Sequence, residues 1–407
     1  MSDKKNVTKT VESNLCCSCG LCASYCNKKA ISYKVNKLGF YEPIVDTKQC
    51  VDCGVCINSC PGQKDLKSYE NKEESYIYGY SLNPEMRLNA SSGGIATELL
   101  CYLLKKGIVD YVTCVTNRTA NDLPHQILTN DSKVIKQSRT SKYCPIAWGE
   151  ILKEIEQVDG TVAIIALPCQ INSLKQYYLK RQMRNKIKFF ISLMCNHTPS
   201  IHAANYLVKG LGGRKLDSII NRGEGFPGVM KVSLTVGLSS TVRQARLPYR
   251  RTWASGYGKY FKNMRCMVCN DPFAKNADIV MGDSYFLQET DTKGTTFCIV
   301  RNDALETILN DMKKEGVILF EEGPDLQTQR KYFKALFNRE NDFPFLNNIL
   351  KKIGRKIETP LPESERVPTI RNILGFKRMV FMNSLGKYHF LWGYLAKKNN
   401  LKSLILK

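Results

Sequence analysis

Cys16, Cys19, Cys22 and Cys26 follow the spacing C-x2-C-x2-C-x3-C, and Cys50, Cys53, Cys56 and Cys60 repeat it, with Pro61 directly after. Thiolates bind soft metals. Spacers this short let three thiolates of one turn grip three corners of an iron–sulfur cube, while the fourth cysteine turns away to a neighbouring cube. The spacing therefore assigns Cys16, Cys19, Cys22 and Cys60 to one 4Fe-4S cluster, and Cys50, Cys53, Cys56 and Cys26 to a second. Zinc prefers isolated C-x2-C pairs with a long gap between them, and two complete four-cysteine runs argue against it.

The element that must carry these runs is an internal repeat. An offset of 34 maps Cys16, Cys19, Cys22 and Cys26 onto Cys50, Cys53, Cys56 and Cys60. Between the runs, residues 31–35 and 40–45 read as short strands around a turn at Lys37-Leu38-Gly39. Residues 1–62 thus form a self-contained head that resembles a bacterial-type two-cluster ferredoxin. It departs from that pattern twice: Asn27 stands where proline usually follows the fourth cysteine, and Cys17 is an additional thiol. Cys17 aligns with Val51 in the repeat and reads as a non-ligand.

Residues 63–76 are polar and charged and read as a linker. Beyond them the pattern becomes α/β. Ser91-Ser92-Gly93-Gly94 precedes an apolar helix beginning at Ile95, and residues 110–115 read as a strand. Small residues before a helix allow backbone N–H groups to approach a phosphate, and the helix N-terminus favours the anion electrostatically. A capped helix with no ligand explains the same four residues equally well. Residues 161–167 and 187–194 are buried-strand patterns that end in Pro168-Cys169-Gln170 and Cys195-Asn196-His197. Two parallel strands delivering cysteines at their carboxyl ends match the place where open α/β sheets bind ligands.

Cys266 and Cys269 form a lone C-x2-C, followed by a buried strand over 277–283 with an acidic residue at its exit. Cys169, Cys195, Cys266 and Cys269 make a candidate third four-thiolate site. Spacing alone leaves three readings open: a cluster, a structural zinc, or two buried cysteines beside an unrelated C-x2-C. Cys101, Cys114 and Cys298 sit in apolar patterns and read as core, whereas Cys144 falls in a loop. Gly223-Glu224-Gly225-Phe226-Pro227-Gly228 fits the dinucleotide fingerprint in letters only. Pro227 interrupts it, and residues 229–236 alternate like a strand, not a helix. It reads as a hairpin turn.

These residues together carry a family resemblance. Ser91 to Gly94, Pro168-Cys169-Gln170, Cys195, Cys266-x2-Cys269 and Ala277-Asp278-Ile279-x2-Gly282-Asp283 resemble the beta subunit family of coenzyme F420 hydrogenase and formate dehydrogenase (FrhB/FdhB). The resemblance spans about residues 78–350. It implies an FAD-containing iron–sulfur oxidoreductase. Ser91, Ser92, Gly93 and Gly94 would then lie in the flavin site, with Asp278, Gly282 and Asp283 in the segment near the cofactors. Cys169, Cys195, Cys266 and Cys269 would hold a third 4Fe-4S cluster. The implied partners are an anionic hydride-carrying coenzyme and a protein that gives or takes single electrons.

Proton handling is poorly marked. There are four histidines, and His197 beside Cys195 is the sole catalytic candidate; a satisfied histidine at a strand end explains it as well. The formal charge of +23 excludes no class by itself, and thiolate-ligated clusters and a flavin would lower it without reversing its sign. It suits an anionic coenzyme. No nucleic-acid-binding signature accompanies it, so nucleic acid is not an expected partner. Seventeen cysteines with no apolar stretch behind the N-terminus point to metal ligation in a reducing, cytoplasmic setting.

Residues 351–407 hold 13 Lys and Arg against 3 Asp and Glu, a surplus of ten. Ile370, Ile373, Leu374, Lys377 and Arg378 fall on one basic amphipathic helix. Such a tail packs on its own protein, lies on an anionic membrane, or docks a partner. The expected architecture is an α+β ferredoxin-like head (1–62), a linker (63–76), an α/β flavoprotein body (77–350) and a basic helical tail (351–407). Two functional classes follow: an oxidoreductase acting on a soluble hydride carrier, or a non-catalytic electron-transfer adaptor supplying a partner enzyme.

Overall fold

The computed structural model describes residues 5–64, 73–180, 185–237, 241–287, 291–355, 357 and 364–406. Its centre is an eight-stranded mixed sheet built from β3 (Ser75–Ser81), β4 (Tyr111–Val115), β6 (Gln126–Thr129), β7 (Val162–Ala166), β8 (Ile187–Leu193), β12 (Ile279–Asp283), β13 (Thr296–Val300) and β14 (Ile318–Glu322). The order is β14-β3-β13-β12-β8-β7-β4-β6. The four inner strands β12, β8, β7 and β4 run parallel, so their carboxyl ends share one edge, and antiparallel strands close both sides.

Alternation along the strands sorts two apolar layers. Ile164 of β7, Val280 of β12 and Phe297 of β13 face one way; Ala163, Met281 and Cys298 face the other. Successive side chains of a strand point to opposite faces, so a strand buried on both sides must be apolar throughout. The second layer is covered by helices Ile95–Lys105 and Asp303–Lys314. Cys114 and Cys298 lie buried in the sheet and Cys101 packs beside the second layer, as the pattern predicts.

A four-stranded antiparallel sheet, β11-β10-β9-β5, stands apart from the first. It comprises β5 (Arg118–Thr119), β9 (Lys215–Ile220), β10 (Val229–Val236) and β11 (Thr241–Pro248). Residues 221–228 join β9 to its antiparallel neighbour β10, the hairpin connection expected for this glycine-rich stretch. Helix His202–Gly210 and the tail residues Trp392, Leu395 and Leu401 fill the core of this sheet.

Three observations bear on the expected boundaries. Residues 65–72 of the expected linker lie outside the described residues, while Ser75 and Tyr76 already belong to β3. Helix Lys334–Lys352 runs straight through the expected boundary at 350. The head, with its hairpin β1 (Ile31–Val35) and β2 (Tyr41–Val45), has only a small core of its own, around Val7, Ile31 and Cys56. Leu21 and Tyr25 join the first layer of the body, and Leu15 packs with Val268 and Phe343. A repeat this short buries too little apolar surface alone, and the body supplies the remainder.

Candidate functional site

The two cysteine turns share one local construction. Gly20 and Gly54 adopt φ of 72° and 77°, each opening a one-turn helix, Leu21–Ser24 or Val55–Asn58. Only glycine takes that backbone without cost, and the turn wraps consecutive thiols around a common point. Cys16, Cys19, Cys22 and Cys60 line one pocket with Leu21 and Tyr25, and Cys17 and Cys56 also reach it. Burial, followed by the neighbouring Cys60 charge, pushes the Cys16 thiol up to about 12. Burial likewise raises Cys19 and Cys22. Thiolates clustered out of water need a cationic centre to offset them, which is the chemistry an iron–sulfur cube supplies.

Cys26 and Cys56 pack in a second apolar cluster. The Cys56 thiol rises to about 11 through burial, against backbone hydrogen bonds from Val7 and Ile57. Cys53 of this set is exposed, and Cys50 accepts from Asn6 Nδ2 at 3.7 Å. Backbone N–H groups also aim at sulfur: Ser18 N–H at Cys16 Sγ (3.4 Å) and Ala30 N–H at Cys26 Sγ (3.3 Å). Donors of this kind favour the thiolate over the thiol. Among the described residues, no three His, Cys, Asp or Glu side chains are grouped to hold a single metal ion.

The body thiols converge on one loop. Cys169 opens helix Pro168–Lys180 and lies within charge range of Arg265 and Asp271, which flank Cys266 and Cys269. Cys195 N–H donates to the Pro272 carbonyl at 3.1 Å, on the same loop. Cys17 had no role in the repeat, yet here it lies beside Cys169. The interaction between the two thiols is the main cause lowering Cys169 and raising Cys17. Sequence alignment of the two runs could not find this partner, because it lies 152 residues downstream in another element.

The second group forms at the carboxyl edge of the parallel strands. Asp283 ends β12, and Ser92 Oγ donates to its Oδ1 at 2.6 Å. Arg222 Nη1 donates to both Asp283 oxygens, at 3.0 and 2.8 Å. Burial works against the Arg222 charge, but the Asp283 carboxylate more than offsets it and the guanidinium pKa moves up. Arg222 Nη2 and Ser284 Oγ are buried there without a hydrogen-bond partner. Buried donors left unpaired cost roughly 1–3 kcal/mol each, so two beside one carboxylate mark a place built for a polar ligand.

Gly94, at φ 88°, opens helix Ile95–Lys105 from the same loop. Gly93 passes so close to β3 and β13 that a Cβ would lie 2.6 Å from the Gly79 carbonyl oxygen. Ser91 Oγ accepts from Ser141 N–H at 2.8 Å, which ties down the segment carrying Tyr143. Tyr143 stacks on Tyr249 and meets Trp253 edge-on, and Trp253 reaches His197 at 4.9 Å between ring centroids. Burial pushes the neighbouring Lys142 ammonium down to about 7, although three acceptors surround it. These residues fit a phosphate-bearing aromatic cofactor such as FAD: a helix N-terminus, a buried guanidinium with a spare donor, and stacked rings.

Asp278 and Gly282, the other expected residues of this segment, each meet the neighbouring strand segment. Asp278 stands at the opposite end of β12, where its carboxylate accepts from Phe190 N–H at 2.8 Å and faces Lys175 Nζ at 3.8 Å. Gly282 meets Met194, whose sulfur would stand 2.6 Å from an added Cβ. Asp278 ties strands together and Gly282 admits a neighbour. Arg222 was missed because nothing in a hairpin loop says which strand end it reaches; its one signal was the unusual density of glycines beside it.

The fold is mixed α/β, with the second group of polar side chains at the carboxyl ends of its parallel strands. The chain belongs to the coenzyme F420 hydrogenase/dehydrogenase beta subunit family: residues 76–153 match its N-terminal part and residues 159–325 its C-terminal part. It is 25% identical over 83% of its length to the coenzyme F420-dependent sulfite reductase of Methanocaldococcus jannaschii. It is 22% identical over 46% of its length to one of the subunits of the F(420)H(2) dehydrogenase of Methanosarcina mazei. The chain spans about half the length of each relative, 52% and 55% respectively. In fold, it resembles a chain of the F420-reducing [NiFe] hydrogenase complex from Methanosarcina barkeri, with TM-score 0.54, 19% identity, and coverage of 73% of this chain and 99% of that one.

Proposed function

We propose that the protein is an iron–sulfur flavoprotein oxidoreductase that passes electrons between a hydride-carrying coenzyme, of the coenzyme F420 class, and a one-electron protein partner. The observation that carries this reading is the proximity of Cys16, Cys17 and Cys19 to Cys169, each within charge range of it, which brings the first cysteine turn close to a thiol of the body. Contiguous thiolate groups are what a short electron path requires. FAD, when bound, couples two-electron hydride chemistry to single-electron transfer. Ser92, Arg222 and the Gly94 helix terminus would hold its phosphates; Tyr143 and Tyr249 would flank its rings. Cys169, Cys195, Cys266 and Cys269 would hold the third cluster, and the head cysteines the other two. The names of the relatives support the coenzyme F420 link and a place in a multi-protein assembly.

The test is anaerobic purification, iron and flavin quantification, and mixing with reduced coenzyme F420, NADH or reduced ferredoxin while flavin absorbance is followed. About twelve irons and one flavin per chain, with bleaching by one hydride donor, are expected. About eight irons and no flavin would overturn the enzyme reading and leave an electron-transfer adaptor. Arg222→Met is expected to lower flavin content at unchanged iron.

A further inference from the structure

The tail resolves into a packed half and an open half. Helix Ile370–Ser384 begins with a capping box, Thr369 and Asn372 bonding reciprocally, so its start is fixed by local chemistry. Its inner face, Ile373, Phe376 and Val380, packs on the cluster formed by Leu15, Val268, Phe343 and Ile349. At 3.6 residues per turn, Ile370, Leu374, Lys377 and Phe381 fall on one stripe, turned away from Phe376. The structure leaves that stripe in water: Ile370 is 78% exposed, Leu374 59% and Phe381 61%.

Arg371 and Arg378 lie along the stripe's flank and are exposed with it. From residue 367 to 407 there are eight Lys and Arg and no Asp or Glu. Phe390, 79% exposed, adds an aromatic beyond the helix. Among the described residues no helix is long and apolar enough to cross a membrane. Apolar side chains interleaved with cations and wholly lacking acids complement a surface that is apolar below and anionic above. A lipid headgroup layer has both properties in that order.

We propose that the outward face of helix Ile370–Ser384 binds the surface of an anionic bilayer, with Ile370, Leu374 and Phe381 entering the headgroup region and Arg371, Lys377 and Arg378 meeting lipid phosphates. The helix lies on the membrane and does not span it. Its inner face rests on Leu15 and Val268, neighbours of the first cysteine run and of Cys266–Cys269. The contact therefore positions both cysteine groups close to the membrane plane. This inference rests on exposure and charge and is independent of the proposed cofactors.

The test is sedimentation of the full-length, anaerobically purified protein with vesicles of phosphatidylcholine alone or mixed with phosphatidylglycerol. Binding is expected only with the anionic mixture, and to fall as salt rises from about 0.1 M to about 1 M. Lys377→Gln with Arg378→Gln should weaken binding roughly twenty-five-fold, at about fivefold per charge near the surface. Leu374→Ser with Phe381→Ser should weaken it by about tenfold or more. All four side chains are exposed, so iron content and circular dichroism should match wild type. Wild-type protein that stays in the supernatant with anionic vesicles, or variants that bind as well as wild type, would overturn the proposal. So would a wild-type dimer that Phe381→Ser dissociates without any vesicle binding, because a second copy would then cover this face.

Discussion

Ser18 and Asp52 occupy the same place in the two cysteine runs, and both sit at positive φ, 62° and 47°. Two residues further on, Gly20 and Gly54 again match. Beyond the backbone the likeness stops. The first turn faces inward: Cys19 carbonyl accepts from Trp148 N–H at 2.9 Å, Cys16 carbonyl accepts from Asn263, and Tyr25 stacks on Tyr177 at 4.1 Å. The second turn faces water: Cys53 is exposed, and Val51 is 61% exposed where Cys17 stands in the first. Duplication made two equal units, and docking gave them unequal surroundings. The first run is the inner unit, beside the body, and the second is the outer unit, at the surface.

The comparison can be broken most decisively at the thiols. Cys19→Ser should cost iron, lower the unfolding temperature of the whole chain and weaken electron output, because its turn belongs to the body's core. Cys53→Ser should remove about four irons, leave unfolding and flavin reduction near wild type, and slow reduction of a protein acceptor by at least about tenfold. Equal losses of stability in the two variants would sink the inside–outside distinction; calorimetry with iron analysis decides it.

The packing contrast sharpens it further. Leu15→Ala empties a fully buried site and should destabilise by about 2–5 kcal/mol, whereas Val51→Ala should stay within about 0.5 kcal/mol. Denaturant titration of both measures the difference. Tyr25→Phe comes next. Ser173 donates to the Ser59 carbonyl, so it must accept from Tyr25, and losing that donor should cost about 1 kcal/mol.

The remaining expected effect is a pH dependence. His202 lies against Gly39 of the head hairpin and against His389 and Trp392 of the tail. Burial, then the His389 charge, holds its pKa down to about 4 from 6.5. Its contribution to stability is therefore fully present above pH 6.5 and is lost as the pH falls toward 4. Unfolding curves across that window should show the loss, and His202→Gln should flatten it.

Much of this was legible in the sequence. The cysteine spacing, the 34-residue repeat, the strand over 187–194 and the helix from Ile95 are local signals, and each appears within a residue or two. The hairpin reading of residues 223–228 held because Pro227 and an alternating strand cannot continue as a helix. What stayed hidden were pairings between distant elements: Arg222 with Asp283, Cys17 with Cys169, Leu15 with Phe343. Asp278 and Asp283 bracket one strand with similar flanks, and only the tertiary structure shows that Asp278 fastens Phe190 while Asp283 meets Arg222.

Local spacing alone determined that cysteines fall in two runs of four, since the positions follow directly from the repeat. Tertiary structure alone decided which turn is inner and which is outer, which carboxylate meets the buried arginine, and which face of the tail helix remains open. Those choices depend on how much apolar surface each element can bury against another, a quantity set by the partners and not by the repeat.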